Sequence, residues 1–372
     1  MNFPILSKAA IGLGNGNLSI ETTQILAPVG DEVVVEIKAA GVCHTDFDSL
    51  GWGKKIVMGH EGVGIVRAVG TEVTQFEEGD HVILNWAIPC KKCAQCRRNN
   101  FFICENNSPV IAGNAVSGGH ARLEATQLGG QGIERSFSLG TLSEYSIVKA
   151  SALVKIPQEI DFKVAAFVGC AVMTGVGSVL NIPIPFEPDS ALVLGVGGVG
   201  INVIQGLKIR GIPKIIAVDI SAKKLEIAQR FGATHTILNQ ASKGEFRHFA
   251  DLIRQINAGQ LVDLAYECTA IPALGAAPLA CIRHGGMAVQ VSGIEEDLTI
   301  DMRLFEWNKL YLNPLYGNCN PEIDFPRLFR LYQEGQLQLG EQISAVYPLD
   351  NLPQAFKDMH SGENIKGVIT FA

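Results

Sequence analysis

The stretch SALVLGVGGVGINVIQGLKIRG, residues 190–211, decides how the chain folds. A continuous apolar run, 190–194, enters Gly195-Val196-Gly197-Gly198-Val199-Gly200. These six residues fit G-x-G-x-x-G. Apolar residues then recur at helical spacing, and a second apolar run, KIIAVD (214–219), ends in Asp219. The pattern alone is weak. Its place after a buried strand and at the start of a helix is what gives it meaning. Gly195 permits the tight turn, Gly197 lets a pyrophosphate approach the backbone, and Gly200 allows close helix–strand packing. Gly198 and Val199 open the helix, whose free N–H groups and dipole favour an anion.

Asp219 selects the cofactor. Its carboxylate can accept hydrogen bonds from both ribose hydroxyls of NAD and repels the 2′-phosphate of NADP. Lys224 stands close enough in sequence to reach the ribose. Further on, AKKLEIAQRFGA reads as a helix ending at Gly232, HTIL as a strand, LVDLAYEC as a strand, IPALGAAPLACIRHGG as helix-like and MAVQVSG as a strand. Strands alternating with helices predict an α/β doubly wound parallel sheet, covered on both faces.

Before about Cys170 the texture differs. DEVVVEIKAAGVC, HEGVGIVRAVG and GDHVILNWAI are short Val/Ile runs closed by Gly or Gly-Asp, the pattern of an irregular β-barrel. The last sixty or so residues change again, with a helical stripe in FPRLFRLYQEGQL, a short helix within ISAVYPLDNLPQAFKDMHSG and a final strand GVITF. Boundaries are expected near 171 and 314. The 372 residues, 47% hydrophobic and 18% charged, are ample for two such domains. A net charge of −7 disfavours a nucleic-acid partner. Lys91-Lys92 and Arg97-Arg98 read as local loop decoration. No run of about 18 uninterrupted apolar residues suggests a membrane span, and the N-terminus lacks the form of a secretory signal, so the expected location is the cytoplasm.

Nine cysteines are present. Cys90, Cys93, Cys96 and Cys104 are separated by two, two and seven residues. In such a chain the cluster reads as a metal site before a disulfide framework. Four thiolates close a tetrahedral shell, which marks a structural zinc. A second set is dispersed: Cys43, His60 and Cys170. Two cysteines and a histidine leave a fourth position open, the catalytic pattern. Taken singly, Cys43 and Cys170 read as small buried hydrophobes and His60 as a core histidine, and spacing cannot assemble the three. Cys268, Cys281 and Cys319 are left as buried hydrophobes. Read as an extended segment, GVCHTDFD (41–48) points neighbouring side chains in alternate directions, so they cannot all serve one centre.

The chain resembles the zinc-dependent alcohol dehydrogenases of the medium-chain dehydrogenase/reductase superfamily. The resemblance covers nearly its whole length. GHEGVGIVRAVGTEV, the four-cysteine lobe, GVGGVG with Asp219, and the closing SGENIKGVITF carry it. It implies a GroES-like catalytic domain built from both chain ends (1–171 and 315–372, with a structural zinc lobe at about 90–104). A Rossmann NAD-binding domain, 172–314, is inserted between them, with the active site in the cleft. It implies two zinc ions per chain, NAD, a small alcohol or aldehyde substrate, and a homo-oligomer, dimer or tetramer.

Residue by residue, Cys43, His60 and Cys170 match the catalytic zinc ligands. Glu61 sits behind the metal, Asp46 orients His60, and Thr45 touches the alcohol and moves its proton. His44 falls on the pyrophosphate, Thr174 and Val291 near the nicotinamide, and Lys366 at a tail position where a basic residue meets the phosphates. Trp86 aligns with a pocket wall, or serves ordinary core packing; Leu139 is a second wall. Asp48 stands where many relatives carry a histidine at the outer end of the proton path, and it is either a weak acceptor or a solvated loop residue. The short spacing from Cys43 to His60 implies an open entrance. The expected reaction is hydride transfer between a primary alcohol and NAD. A thiol-adduct (S-hydroxymethylglutathione type) dehydrogenase and a non-catalytic zinc/NAD-binding structural protein are the alternatives.

Overall fold

A computed structural model describes residues 2–111, 120–239, 247–294, 296–362 and 364–371. Part of the segment 105–140, expected to shape an assembly or a pocket wall, therefore lies outside the described residues.

The chain divides into two compact units. The first comprises Met1–Cys170, Asn320–Glu334 and Leu339–Ala372, and the second Ala171–Cys319 and Gly335–Gln338. The upstream division lies within a residue of 171. The downstream one falls after 319 rather than 314. The reason is local: the turn Leu315–Asn318 packs on the helix Met173–Leu180, and Asn181 Nδ2 donates to Gly317 O at 3.1 Å. Residues 335–338 join the same unit because Gln205 exchanges two hydrogen bonds with the backbone of Gln338.

In the second unit the six strands are all parallel, in the order His235–Leu238, Lys214–Asp219, Ser190–Leu194, Val262–Glu267, Ile282–Gln290, Leu310–Leu312. That is the Rossmann strand order, with its reversal between Ser190–Leu194 and Val262–Glu267. Ser190–Leu194 is buried throughout, as a central parallel strand must be. The helix Ala222–Phe231 ends at Gly232 as expected. IPALGAAPLACIRHGG differs from its reading: only Pro272–Leu274 and Ala277–Cys281 are helical, and IRHGG begins the strand Ile282–Gln290. Two prolines shorten the helix. A register shift opposite Val262 and Leu264 lets Gly285-Gly286 enter the sheet.

The first unit holds two sheets. The seven-stranded one runs Leu153–Lys155, His81–Leu84, Val63–Val69, Glu32–Gly41, Lys366–Thr370, Ile343–Pro348, with Tyr145–Lys149 also on Glu32–Gly41. Val368 pairs with Gly41 and Ala39 with Val63. The C-terminal strand thus completes a sheet begun near the N-terminus, and the ends of three strands meet beside residues 41–43 and 60–61. Ile343–Pro348 is a strand that the sequence reading left as loop.

One helical stretch, Phe162–Leu180, is long and apolar enough to cross a membrane by length and composition. Its mean hydropathy is 1.7, and 78% of its apolar window is buried inside the protein, the condition of a core helix. Lys163 interrupts it, so it escapes a search for unbroken apolar runs.

Candidate active site

The segment 41–48 is not extended throughout. Gly41 ends the strand Glu32–Gly41, Cys43 is extended (φ −129°, ψ 153°), and His44–Asp48 form a five-residue helix. The turn separates the side chains by depth. Asp46 is fully buried, Thr45 half-buried, and His44 and Asp48 exposed. The Asp46 carboxylate accepts the Cys43 N–H at 3.2 Å through Oδ2 and meets His60 Nδ1 at 2.7 Å through Oδ1. His60 therefore presents its other nitrogen away from Asp46, the arrangement that orients a metal-binding imidazole.

Cys170 arrives from the other side, within a π-helical turn, Val168–Val172. Such single turns occur where a side chain must be re-aimed. Ligand atoms of Cys43, His60, Glu61 and Cys170 all lie within 4.8 Å of one another. This cluster is crowded with donors. The Cys43 thiol is held well below its ordinary value by the Cys170 hydrogen bond, against burial, while Cys170 is pushed well up by the same contact. Burial opposes a charged His60 ring, but Asp46 overrides it and raises the imidazole well above its usual value. Two sulfurs and an imidazole so placed fit a zinc ion.

Glu61 is fully buried, and burial pushes its carboxyl up to about 7 despite Lys366. Gly41 makes room for it, since a Cβ there would stand 1.7 Å from Glu61 Oε2. Lys366, expected near the cofactor phosphates, is buried, and its ammonium donates to Glu61 Oε1 at 2.8 Å and to Val42 O at 2.9 Å. A buried carboxylate needs a paired cation, and Lys366 supplies one.

The four-thiol lobe is equally compact: all four sulfurs lie within 4.8 Å of one another, and none forms a disulfide. Cys93 caps the short helix Ala94–Arg97. Backbone N–H groups donate to sulfur from Cys93 to Cys90, from Cys96 to Cys93 and from Cys90 to Cys104, at 3.3–3.4 Å. Burial opposes ionisation of Cys90, but the N–H groups of Lys92 and Cys93 bring it down to about 6. Four convergent sulfurs so placed suit a closed zinc site.

At the glycine turn, Gly195 adopts φ 87°, and a Cβ on Gly200 would stand 1.9 Å from Gly195 O. Gly197 is different: the space where a Cβ would stand is empty, which suits a phosphate at the start of the helix Gly198–Arg210. Asp219 closes the turn from below, accepting the N–H of Val196 at 2.8 Å and of Ser221 at 2.9 Å. Lys224 lies in the next helix and Thr174 in Met173–Leu180. Val291 follows Ile282–Gln290, its N–H on Glu267 O at 2.9 Å.

Sequence reading missed Glu267. It is fully buried, accepts the Thr269 N–H at 2.6 Å and also binds the Ser292 hydroxyl. Its carboxylate joins the loops after two neighbouring strands at the sheet's carboxyl edge, where such sheets bind ligands. Its position as a charged end to the apolar run 262–267 was the available signal.

Leu139 is fully buried, and the pocket position beside it is taken by Phe137. The backbone is left-handed at Phe137 (φ 49°) and Ser138 (φ 63°). Trp86 is 5% exposed and meets Phe137 edge to face at 5.5 Å.

Comparison with known proteins agrees with this geometry. Residues 30–158 match the family model "Alcohol dehydrogenase GroES-like domain", and 198–333 match "Zinc-binding dehydrogenase". Alcohol dehydrogenase B of Mycobacterium tuberculosis is 32% identical, over 95% of each chain. S-(hydroxymethyl)glutathione dehydrogenase of Paracoccus denitrificans is 29% identical, over 98% of this chain and all of its own. Among solved structures, benzyl alcohol dehydrogenase from Acinetobacter calcoaceticus superposes with a TM-score of 0.88 at 28% identity, covering 99% of this chain and all of its own.

Proposed function

Because this chain belongs to the zinc-dependent alcohol dehydrogenases of the medium-chain superfamily, and is an enzyme of that type, we propose that it transfers hydride between a primary alcohol and NAD. The cluster of Cys43, His60 and Cys170, with Asp46 behind the imidazole, is the observation that carries this reading. When bound, zinc supplies a Lewis acid for the alcohol oxygen, and NAD supplies the hydride acceptor.

The chain's own residues do the rest. Cys43, His60 and Cys170 hold the metal, and Asp46 fixes the ring of His60. Thr45 takes the alcohol proton and passes it outward. Glu61, neutralised by Lys366, keeps the floor of the site from carrying a bare charge. The lobe of Cys90, Cys93, Cys96 and Cys104 holds a second zinc. Gly197 and the helix start receive the pyrophosphate, Asp219 the ribose.

A panel of alcohols followed by NADH absorbance tests the proposal. Primary alcohols are expected to be turned over faster than secondary ones, without glutathione. A secondary preference overturns the substrate class. The glutathione-adduct reading, favoured by the Paracoccus relative, requires activity that appears only when glutathione is added. A chain that binds one zinc and gives no alcohol-dependent NADH is instead a binding protein.

The proton path yields a sharper contrast. Thr45→Ala is expected to lower kcat more than about a hundredfold, within the usual range for a positioned proton-transfer group. Asp48→Ala is expected to lower it less than about tenfold, because an aspartate is ordinarily a poor base near neutrality. Asp48 is exposed and lies one helical turn from His44. Equal large losses in the two variants make Asp48 part of the relay.

A further inference from the structure

The carboxyl edge of the parallel sheet is divided by its strand order. Lys214–Asp219 lies on one side of Ser190–Leu194; Val262–Glu267 and Ile282–Gln290 lie on the other. A dinucleotide with a ribose on Asp219 and its pyrophosphate at Gly197 has one direction left to run. It passes the reversal in strand order and meets the turns that follow Glu267 and Gln290.

Glu267 holds both turns. Its carbonyl accepts the N–H of Val291 at 2.9 Å and of Ser292 at 3.2 Å. One carboxylate oxygen accepts the N–H of Thr269, at 2.6 Å, and the Thr269 hydroxyl as well. The other accepts the Ser292 hydroxyl. Thr269 carries the linkage further. Its hydroxyl accepts the N–H of Ile271 at 3.0 Å, and its methyl group stands 2.8 Å from where a Cβ on Gly195 would be. The Cys268 N–H bonds Leu194 O at 2.8 Å. The turn after Glu267 therefore rests on the glycine turn.

Two observations separate this arrangement from ordinary sheet packing. Ala270, in the same turn, is exposed and in left-handed backbone (φ 57°). Such a residue persists only where its surroundings over-determine it, and it gathers at ligand sites. The tie itself is also costly. A carboxylate at the end of a fully buried strand must be desolvated, whereas an apolar residue there would pack without that penalty.

We propose that Glu267 is a positioning residue for the nicotinamide half of NAD, acting through the turns 268–271 and 291–292 that it fixes. The inference rests on the NAD-linked reading of this chain and assigns a further residue to it. The adenosine half does not depend on Glu267. Gly195 N–H bonds Val218 O at 2.8 Å and Val196 N–H bonds Asp219, so the glycine turn has its own ties to the strand on the other side.

Calorimetric binding of NADH and of 5′-AMP tests the assignment. Ser292→Ala frees one turn from the carboxylate and is a small change at a half-buried side chain. Glu267→Gln keeps the size and leaves one acceptor oxygen in place of two. Each is expected to weaken NADH about tenfold, the usual worth of one hydrogen bond to a charged group, and to change 5′-AMP less than about twofold. Without nucleotide, amide exchange at 291 and 292 should quicken about tenfold in both variants, while exchange at Gly195 and Val196 matches the parent. Equal weakening of the two nucleotides makes Glu267 a general fold element and overturns the proposal. Unchanged NADH affinity overturns it too, even where the amides have loosened. Both results leave the NAD reading intact, because the parent still binds NADH. A parent that binds neither nucleotide removes the NAD reading, and the assignment falls with it. If Glu267→Gln does not fold, the ratio of the two affinities in Ser292→Ala decides alone.

Discussion

Cys170→Ala is expected to reduce alcohol-dependent NADH formation by more than about a thousandfold, which corresponds to about 4 kcal/mol of lost transition-state stabilisation. A metal acting as a Lewis acid supplies several kcal/mol of this kind, and it does so only while its ligand set holds it in place. Cys170 is one of three protein ligands proposed for that set. The substitution leaves Cys43, His60 and Glu61, with Glu61 already committed to Lys366. One zinc equivalent per chain should be lost on dialysis. The fold should survive, because alanine fits where a small thiol stood in the π-helical turn, and the four-thiol lobe is untouched. The discriminating measurement is zinc content beside activity and melting temperature. A variant that keeps its full zinc content and more than a tenth of its activity removes Cys170 from the site. A variant that melts far below the parent shows a packing role instead.

How much of this was legible in the sequence depended on how local the cause was. The glycine turn was fully legible, because strand, turn, helix and Asp219 lie within thirty residues and each glycine answers a short-range steric demand. The four-thiol lobe was legible for the same reason, its ligands falling within fifteen residues. The dispersed cluster was not readable from spacing. Cys43, His60 and Cys170 are brought together by strand pairing and a π-helical turn, and only family resemblance joined them beforehand.

Two features escaped altogether. Lys366 and Glu61 are 305 residues apart, and their pairing depends on the last strand joining the sheet between distant partners. Phe137 escaped because no propensity places an aromatic residue in left-handed backbone. The tertiary hydrogen bonds around 136–141 impose it.

Cys104→Ala is expected to remove the other zinc equivalent and to unfold the lobe while sparing the rest of the chain. The reason lies in what the lobe is made of. Among the described residues, its buried cluster consists of Cys93, Cys96 and Cys104, with Cys90 and Phe101 packed against them. Its helix, Ala94–Arg97, has four residues, far too few to persist unaided. Hydrophobic burial cannot hold such a segment, so the proposed zinc would supply its folding free energy, about 10 kcal/mol or more for comparable structural sites. Cys104 is fully buried and its sulfur receives the Cys90 N–H, so alanine there removes a ligand and an acceptor together. Amide hydrogen exchange should show the result as a local opening. Protection at Cys96 and Arg97, whose N–H groups bond Cys93, should drop by more than about a hundredfold, while Ala191–Val193 of the parallel sheet stay protected. A chelator applied to the parent protein should reproduce the pattern. If Cys104→Ala keeps both its zinc and the protection of residues 93–97, the lobe is held by packing, and its four sulfurs are not a metal site.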